Sequence, residues 1–206
     1  LCSGQGGHMH LFSREHLAAS SGIVGSGGPS ALGFALAAQH LRPGKLAVAF
    51  FGEGAMNQGM LLESLNLAAV WKLPVLFVCK DNRWSLTTPS REVTGGDLCQ
   101  RAAAFGLPSV SVNGLDVEAV WETASQAIQR ARSGHGASFI QASCVHLEGH
   151  IIGDPLFRIA RSPLKEMTPM TAPMLRAFLS VGGADLGQRL EGMTLILKRI
   201  REATEK

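Results

Sequence analysis

Two uninterrupted apolar runs constrain this chain more than anything else in it: 46–51 (Leu-Ala-Val-Ala-Phe-Phe) and 74–79 (Pro-Val-Leu-Phe-Val-Cys). Each has strand length, and neither alternates with polar residues. The 57–71 segment between them repeats its apolar residues at helical spacing through Leu61, Leu62, Leu65, Ala68 and Ala69. A strand covered on both faces needs no polar alternation, and strand–helix–strand is the usual connection between parallel neighbours. The spacing therefore predicts a βαβ unit in an α/β domain, with a parallel sheet flanked by helices. The pattern recurs downstream: a short strand over 109–112, a periodic helix over 116–132 closed by Gly134, and a strand over 137–145.

Upstream, the glycine-rich stretch 4–29 reads as a loop, followed by a helix of small residues over 30–40 with Ser30 as its N-cap. Gly33, Ala35, Ala37 and Ala38 give that helix a face suited to packing on the sheet or to an oligomer interface. Near the end, 167–173 reads as an extended linker and 185–206 as one amphipathic helix. The expected organisation is an α/β domain over 1–160, then a linker and terminal helix over 161–206 packing on the same domain.

A net charge of +3 spread over 206 residues, with only a short basic run at 198–201, excludes a strongly basic nucleic-acid surface. No apolar run reaches membrane-spanning length. Cys2, Cys79, Cys99 and Cys144 form no CxxC pair, which suits free thiols in the cytoplasm or an organelle matrix. The first residues, Leu-Cys-Ser-Gly-Gln-Gly-Gly, lack the basic start and apolar stretch of a signal peptide and read as though they begin inside a structure.

In open parallel sheets, ligands bind beyond the carboxyl ends of the strands. Three such ends carry candidate chemistry. After the first strand comes Gly52-Glu53-Gly54-Ala55-Met56-Asn57-Gln58-Gly59, where glycines and a helix N-terminus suit a phosphate. An acid, Glu53, in the same place makes sense if a divalent cation bridges it to that phosphate. After the second strand, the Asn82 side-chain oxygen and the carbonyls around Trp84 are hard donors of the kind Mg²⁺ takes. After the last strand, His150 offers an imidazole to the same crevice.

Gly52-Glu53-Gly54 with Asn82 about thirty residues on resembles the G-D-G…N signature of thiamine-diphosphate enzymes. The wider context is similar to the α subunits of pyruvate, branched-chain 2-oxo acid and acetoin dehydrogenases, the E1 components. The matching segments include Gly4-Gln5-Gly6-Gly7-His8-Met9-His10, Gly22-Ile23-Val24-Gly25, Trp71-Lys72-Leu73-Pro74 and Gly149-His150 with Asp154-Pro155. The resemblance implies a thiamine-diphosphate-binding fold. It also implies Mg²⁺ held by Glu53, Asn82 and the Trp84 carbonyl, and diphosphate contacts from the backbone of Gly54 and Ala55. Gly22 and Val24 would face the aminopyrimidine ring, and His150 would reach both the diphosphate and the reacting centre. By the same resemblance the partners are a β subunit, which completes the site, and a lipoyl-bearing acyltransferase. A homo- or hetero-oligomer is expected.

The chain departs from the family where Glu53 replaces Asp, moving a carboxylate outward by roughly 1.5 Å, one C–C bond. Glu148 stands where pyruvate dehydrogenases have His, and the Tyr-Arg pair of the family's long N-terminal segment has no counterpart, since the chain contains no Tyr. An N-terminally truncated subunit is the expectation. The alternative is a truncated, cofactor-free relative serving as a protein-interaction or assembly module.

Overall fold

The computed structural model describes residues 10–86, 88–145, 162, 165, 168, 171–173, 175–176, 179 and 185–204. Its backbone divides into two compact units, Leu1–His146 and Leu147–Lys206. In the first unit, β1 (Leu11–Ser13) and β2 (Ala18–Ser20) pair as a small antiparallel hairpin inside the stretch expected as loop. Next come α1 (Gly27–Leu41), β3 (Ala47–Gly52), a 3₁₀ turn at Glu53–Asn57, α2 (Gly59–Val70) and β4 (Val75–Asp81). A short hairpin of β5 (Trp84–Ser85) and β6 (Thr88–Pro89) leads into a second 3₁₀ turn, Ser90–Glu92. The unit continues through α3 (Leu98–Ala103), β7 (Ser109–Asn113), α4 (Val117–Arg132) and β8 (Ser138–Ser143).

The sheet runs β3-β4-β8-β7 and all three pairings are parallel, as the apolar runs require. On one face, Val75, Phe77, Cys79 and Phe139 meet Leu32 of α1 and Leu61 and Leu65 of α2 in the main core. Phe51 lies edge-on to Phe77 at 6.5 Å and tilted against Phe139 at 6.3 Å. On the other face, Leu76 and Ile140 pack with Ala127 of α4 in a smaller core. The expectation of cover on both faces fails at β3. Val48 and Phe50 remain 43% and 65% exposed, because β3 is the edge strand and α1 covers only its Ala47, Ala49 and Phe51 side.

Helix α1 starts at Gly27 rather than Ser30, with Ser26 at the N-cap position making no side-chain cap bond. Pro29 does not prevent this, since first-turn N–H groups have no intrahelical acceptor and proline loses nothing there. The small-residue face divides: Ala35 is buried, while Gly33 and Ala37 are exposed. A close α1–α2 approach is instead at Gly28, where a Cβ would stand 2.8 Å from Leu61 Cδ1 and 2.8 Å from Ser64 Oγ. Helix α3, absent from the periodicity, is nucleated by Asp97, which accepts from the Gln100 N–H at 2.7 Å.

The second unit contains α5 (Leu186–Thr204), where a terminal helix is expected, with Lys198 and Arg201 exposed on it. The expected extended linker is helical at its described residues, Thr168 and 171–173. There the Thr171 hydroxyl donates to the Thr168 carbonyl at 2.7 Å, the back-bonding that threonine makes within a helical turn. Among the described residues no helix is long and apolar enough to cross a membrane.

Phe77 is fully buried at the centre of the main core. Phe77→Ala should cost about 3–5 kcal/mol in urea unfolding, the usual range for an aromatic truncated in a packed interior.

Candidate functional site

The parallel register sets Gly52 of β3 beside Lys80 of β4, so the residues that leave these two strands emerge side by side. Glu53 is the first of them on the β3 side. It opens the 3₁₀ turn and is 1% exposed, with Met56 of the same turn fully buried beneath the backbone. Ser90 Oγ donates to Glu53 Oε1 at 2.5 Å, which closes the turn after the β5–β6 hairpin over the carboxylate. Among the described residues this neutral hydroxyl is the hydrogen-bond donor that Glu53 has. One neutral donor undercompensates a buried carboxylate, which leaves room for a cation beside it.

Gly54 follows. A Cβ there would lie 2.5 Å from Ser85 Oγ and 3.0 Å from Ser85 Cβ, so only glycine lets β5 close on the turn. Ser85 Oγ is buried with no hydrogen-bond partner among the described residues, leaving a polar atom unsatisfied at this contact. Ala55 is buried within the same turn.

On the β4 side, two consecutive side chains bend the chain by bonding to the backbone two residues on. Asp81 Oδ1 accepts from the Arg83 N–H at 2.9 Å, and Asn82 Oδ1 accepts from the Trp84 N–H at 2.9 Å. Arg83 is thereby held at φ +65°, a conformation that non-glycine residues rarely adopt. Trp84 then pairs with Pro89 in the hairpin that delivers Ser90 to Glu53.

The Gly22–Val24 loop is exposed, and the Gly22 N–H donates to His10 Nδ1 at 3.4 Å. Gly25, at φ +87°, anchors that loop: a Cβ on it would stand 2.9 Å from Gln58 Cβ and 3.3 Å from Met60 Cγ. The loop therefore rests on the start of α2, beyond the carboxyl end of β3. The structure thus groups Glu53, Gly54 and Ala55 with Asn82 and Trp84 at adjacent strand ends, and seats the Gly22–Val24 loop on the same side. His150 and Glu148 lie outside the described residues.

Several contributors carry no local sequence signal. Asn57 Nδ2 donates to the Val93 carbonyl at 3.2 Å and to Thr94 Oγ1 at 3.0 Å. Arg101 donates to Asn57 Oδ1 at 3.0 Å, to the Met56 carbonyl at 3.3 Å and to the Gly95 carbonyl. This clamp ties the turn after β3 to α3 and borders a cavity of about 510 Å³ lined also by Leu62, Val93 and Phe105. Burial, and then the Asp81 and Glu53 charges, push the Cys79 thiol well above the ordinary cysteine range, so it is inert and both carboxylates lie within electrostatic reach of it.

Among the described residues no three His, Cys, Asp or Glu side chains gather as a metal cluster. The donors at the two strand ends are instead a carboxylate, an amide oxygen and backbone carbonyls. An all-oxygen set of this kind fits a hard divalent cation, and the Gly54 contact with the unsatisfied Ser85 hydroxyl fits an added polar group beside it.

Comparison with known proteins identifies the family. The dehydrogenase E1 component family model matches residues 2–176. The α subunit of acetoin:2,6-dichlorophenolindophenol oxidoreductase from Cupriavidus necator is 44% identical over 155 residues, covering 74% of this chain and 46% of that protein. The subunit of the same name from Bacillus subtilis is 44% identical over 156 residues, covering 75% and 47%. The pyruvate dehydrogenase E1 component subunit α of Rhizobium meliloti is 38% identical over 169 residues, covering 81% and 49%. The chain spans about half the length of these curated relatives. Among solved structures, a Mycobacterium smegmatis protein described as a thiamin diphosphate-dependent enzyme superposes with a TM-score of 0.53 at 25% identity, covering 64% of this chain and 24% of that one. With most of its length matched by the family model and its strand ends arranged as described, this chain belongs to the dehydrogenase E1 component family.

Proposed function

We propose that the chain is the α-subunit part of a thiamine-diphosphate-dependent 2-oxo acid or acetoin dehydrogenase, holding the cofactor diphosphate through Mg²⁺. The observation that carries this reading is the buried, undercompensated Glu53 carboxylate, placed by the sheet register beside the Asn82 turn. In this reading Glu53, Asn82 Oδ1 and the Trp84 carbonyl hold Mg²⁺. The backbone of Gly54 and Ala55, at the mouth of α2, faces the diphosphate. Gly22 and Val24 present backbone groups to the aminopyrimidine ring, and His150 serves the diphosphate and the reacting centre. Ser90 orients the Glu53 carboxylate, and the buried Ala55 and Met56 keep water from beneath it.

Thiamine diphosphate, when bound, supplies a nucleophilic carbon for a substrate carbonyl and a ring that takes up the electrons of the bond that breaks. What this chain contributes is binding, orientation and charge compensation. Completion of the site by a β subunit, and transfer of the acyl unit to a lipoyl-bearing acyltransferase, belong to the same proposal. The acetoin-type relatives reach 44% identity and the pyruvate dehydrogenase α subunits between 32% and 39%, which favours an acetoin-type substrate.

Calorimetric titration of thiamine diphosphate into the full chain tests the reading: heat is expected with Mg²⁺ and none with a chelator in its place. Silence in the wild type with binding by Glu53→Asp would identify Glu53 as the lesion and the chain as a cofactor-free relative. Silence in both would also count against the proposal. A second expectation concerns Ser90→Ala, which strips the donor from a buried carboxylate. In the absence of metal it should lower stability by about 1–3 kcal/mol in urea unfolding, since hydrogen bonds to charged groups are the stronger ones.

A further inference from the structure

Asp81 and Gln141 stand beside the proposed metal donors, and neither is assigned a role by the motif. Asp81 is the last residue of β4 and pairs with Ser143 of β8, while Gln141 pairs with Cys79, two residues back along the same face. Gln141 Nε2 donates to Asp81 Oδ2 at 2.7 Å. The other carboxylate oxygen accepts from the Arg83 N–H at 2.9 Å, and the Asp81 carbonyl accepts from the Cys144 N–H at 2.7 Å. A carboxylate only accepts, so Gln141 must turn its N–H₂ group to Asp81 and leave its oxygen to the Cys99 thiol, which donates at 3.3 Å. The chain of bonds runs from α3, across β8, to the end of β4 and into the turn that carries Asn82 and Trp84.

Geometry makes this more than packing. The turn depends on Arg83 staying at φ +65°, and the bond from its N–H to Asp81 is one of the two side-chain bonds that hold it there. Without Gln141, Asp81 Oδ2 loses its partner from the sheet and the carboxylate can rotate. The Arg83 peptide then relaxes, and Asn82 Oδ1 and the Trp84 carbonyl move with it. Mg²⁺ registers displacements of a few tenths of an ångström, because it demands near-octahedral donors at about 2.0–2.1 Å.

Resting on the cofactor reading above, we propose that the Asp81–Gln141 hydrogen bond is a positioning bridge that sets the Asn82 and Trp84 oxygens for the divalent cation. Both residues act through the turn and touch neither metal nor cofactor.

Two calorimetric titrations of the full chain test this: Mg²⁺ at saturating thiamine diphosphate, and thiamine diphosphate at saturating Mg²⁺. Gln141→Met keeps the side chain unbranched and changes no charge. Its Mg²⁺ affinity should fall on the order of ten-fold, as for other groups that orient metal ligands. Its thiamine diphosphate affinity at saturating Mg²⁺ and its unfolding midpoint should stay near wild type. Unchanged Mg²⁺ affinity, or losses that merely track the unfolding midpoint, overturn the bridge. Should Gln141→Met not fold, Asp81→Asn keeps an acceptor for the Arg83 N–H and lets the amide pair re-form in reverse. It should bind Mg²⁺ more tightly than Asp81→Ala, and equal affinities overturn the bridge. Wild type that binds neither probe fails the cofactor reading and the bridge with it. Wild type that binds, with Gln141→Met matching it, fails the bridge alone.

Discussion

The arrangement at the carboxyl edge depends on one constraint, the parallel register of β3, β4 and β8. With Gly52 beside Lys80 and Asp81 beside Ser143, three strands end at one level, and whatever follows them must share one small space. That register is held by side chains far from any chemistry. Phe51, Phe77 and Phe139 interlock under α1 and α2, and a one-step slip of any strand would turn them out of the core. Apolar burial in the sheet therefore determines where polar groups stand at its rim.

At that rim the fold works against its own electrostatics. Glu53 is withdrawn from water with a serine hydroxyl for company, and Asp81 ends the neighbouring strand. Burial, and then both of these charges, push the thiol of Cys79 in β4 well above the ordinary cysteine range. Two carboxylates and a set of carbonyl and amide oxygens gather there, which are donors of the kind a hard cation takes. The replacement of Asp by Glu at position 53 acquires a physical reading in this setting. The longer side chain reaches Ser90 at the end of the β5–β6 hairpin, so part of its hydrogen-bonding capacity is spent on the protein itself.

Much of the fold was legible in the residues because it rests on local periodicity. The apolar runs around Ala49 and Phe77 and the helical spacing from Leu61 to Ala68 specify strand and helix without reference to anything distant. The βαβ unit and the spacing from Glu53 to Asn82 place one acid and one amide at neighbouring strand ends on topological grounds alone. Helix α3 carries no periodic signal because six residues offer too few turns to show a period, and only the Asp97 cap marks its start. The exposed Val48 and Phe50 could not be foreseen either: an apolar strand reads the same whether it is central or at an edge.

The sequence by itself determined the α/β class, the parallel pairing, the family and which polar residues stand at the strand ends, since all of these follow from short-range pattern and motif spacing. Only the tertiary structure decided which residues support those donors. Ser90 reaches Glu53 across 37 positions, Gln141 reaches Asp81 across 60, and Arg101 reaches Asn57 across 44. Such partners are selected by which strand ends and hairpins come to lie together. No residue announces that in its own neighbourhood, because hydrogen bonds between side chains carry no periodicity and depend on the register that burial of the core imposes.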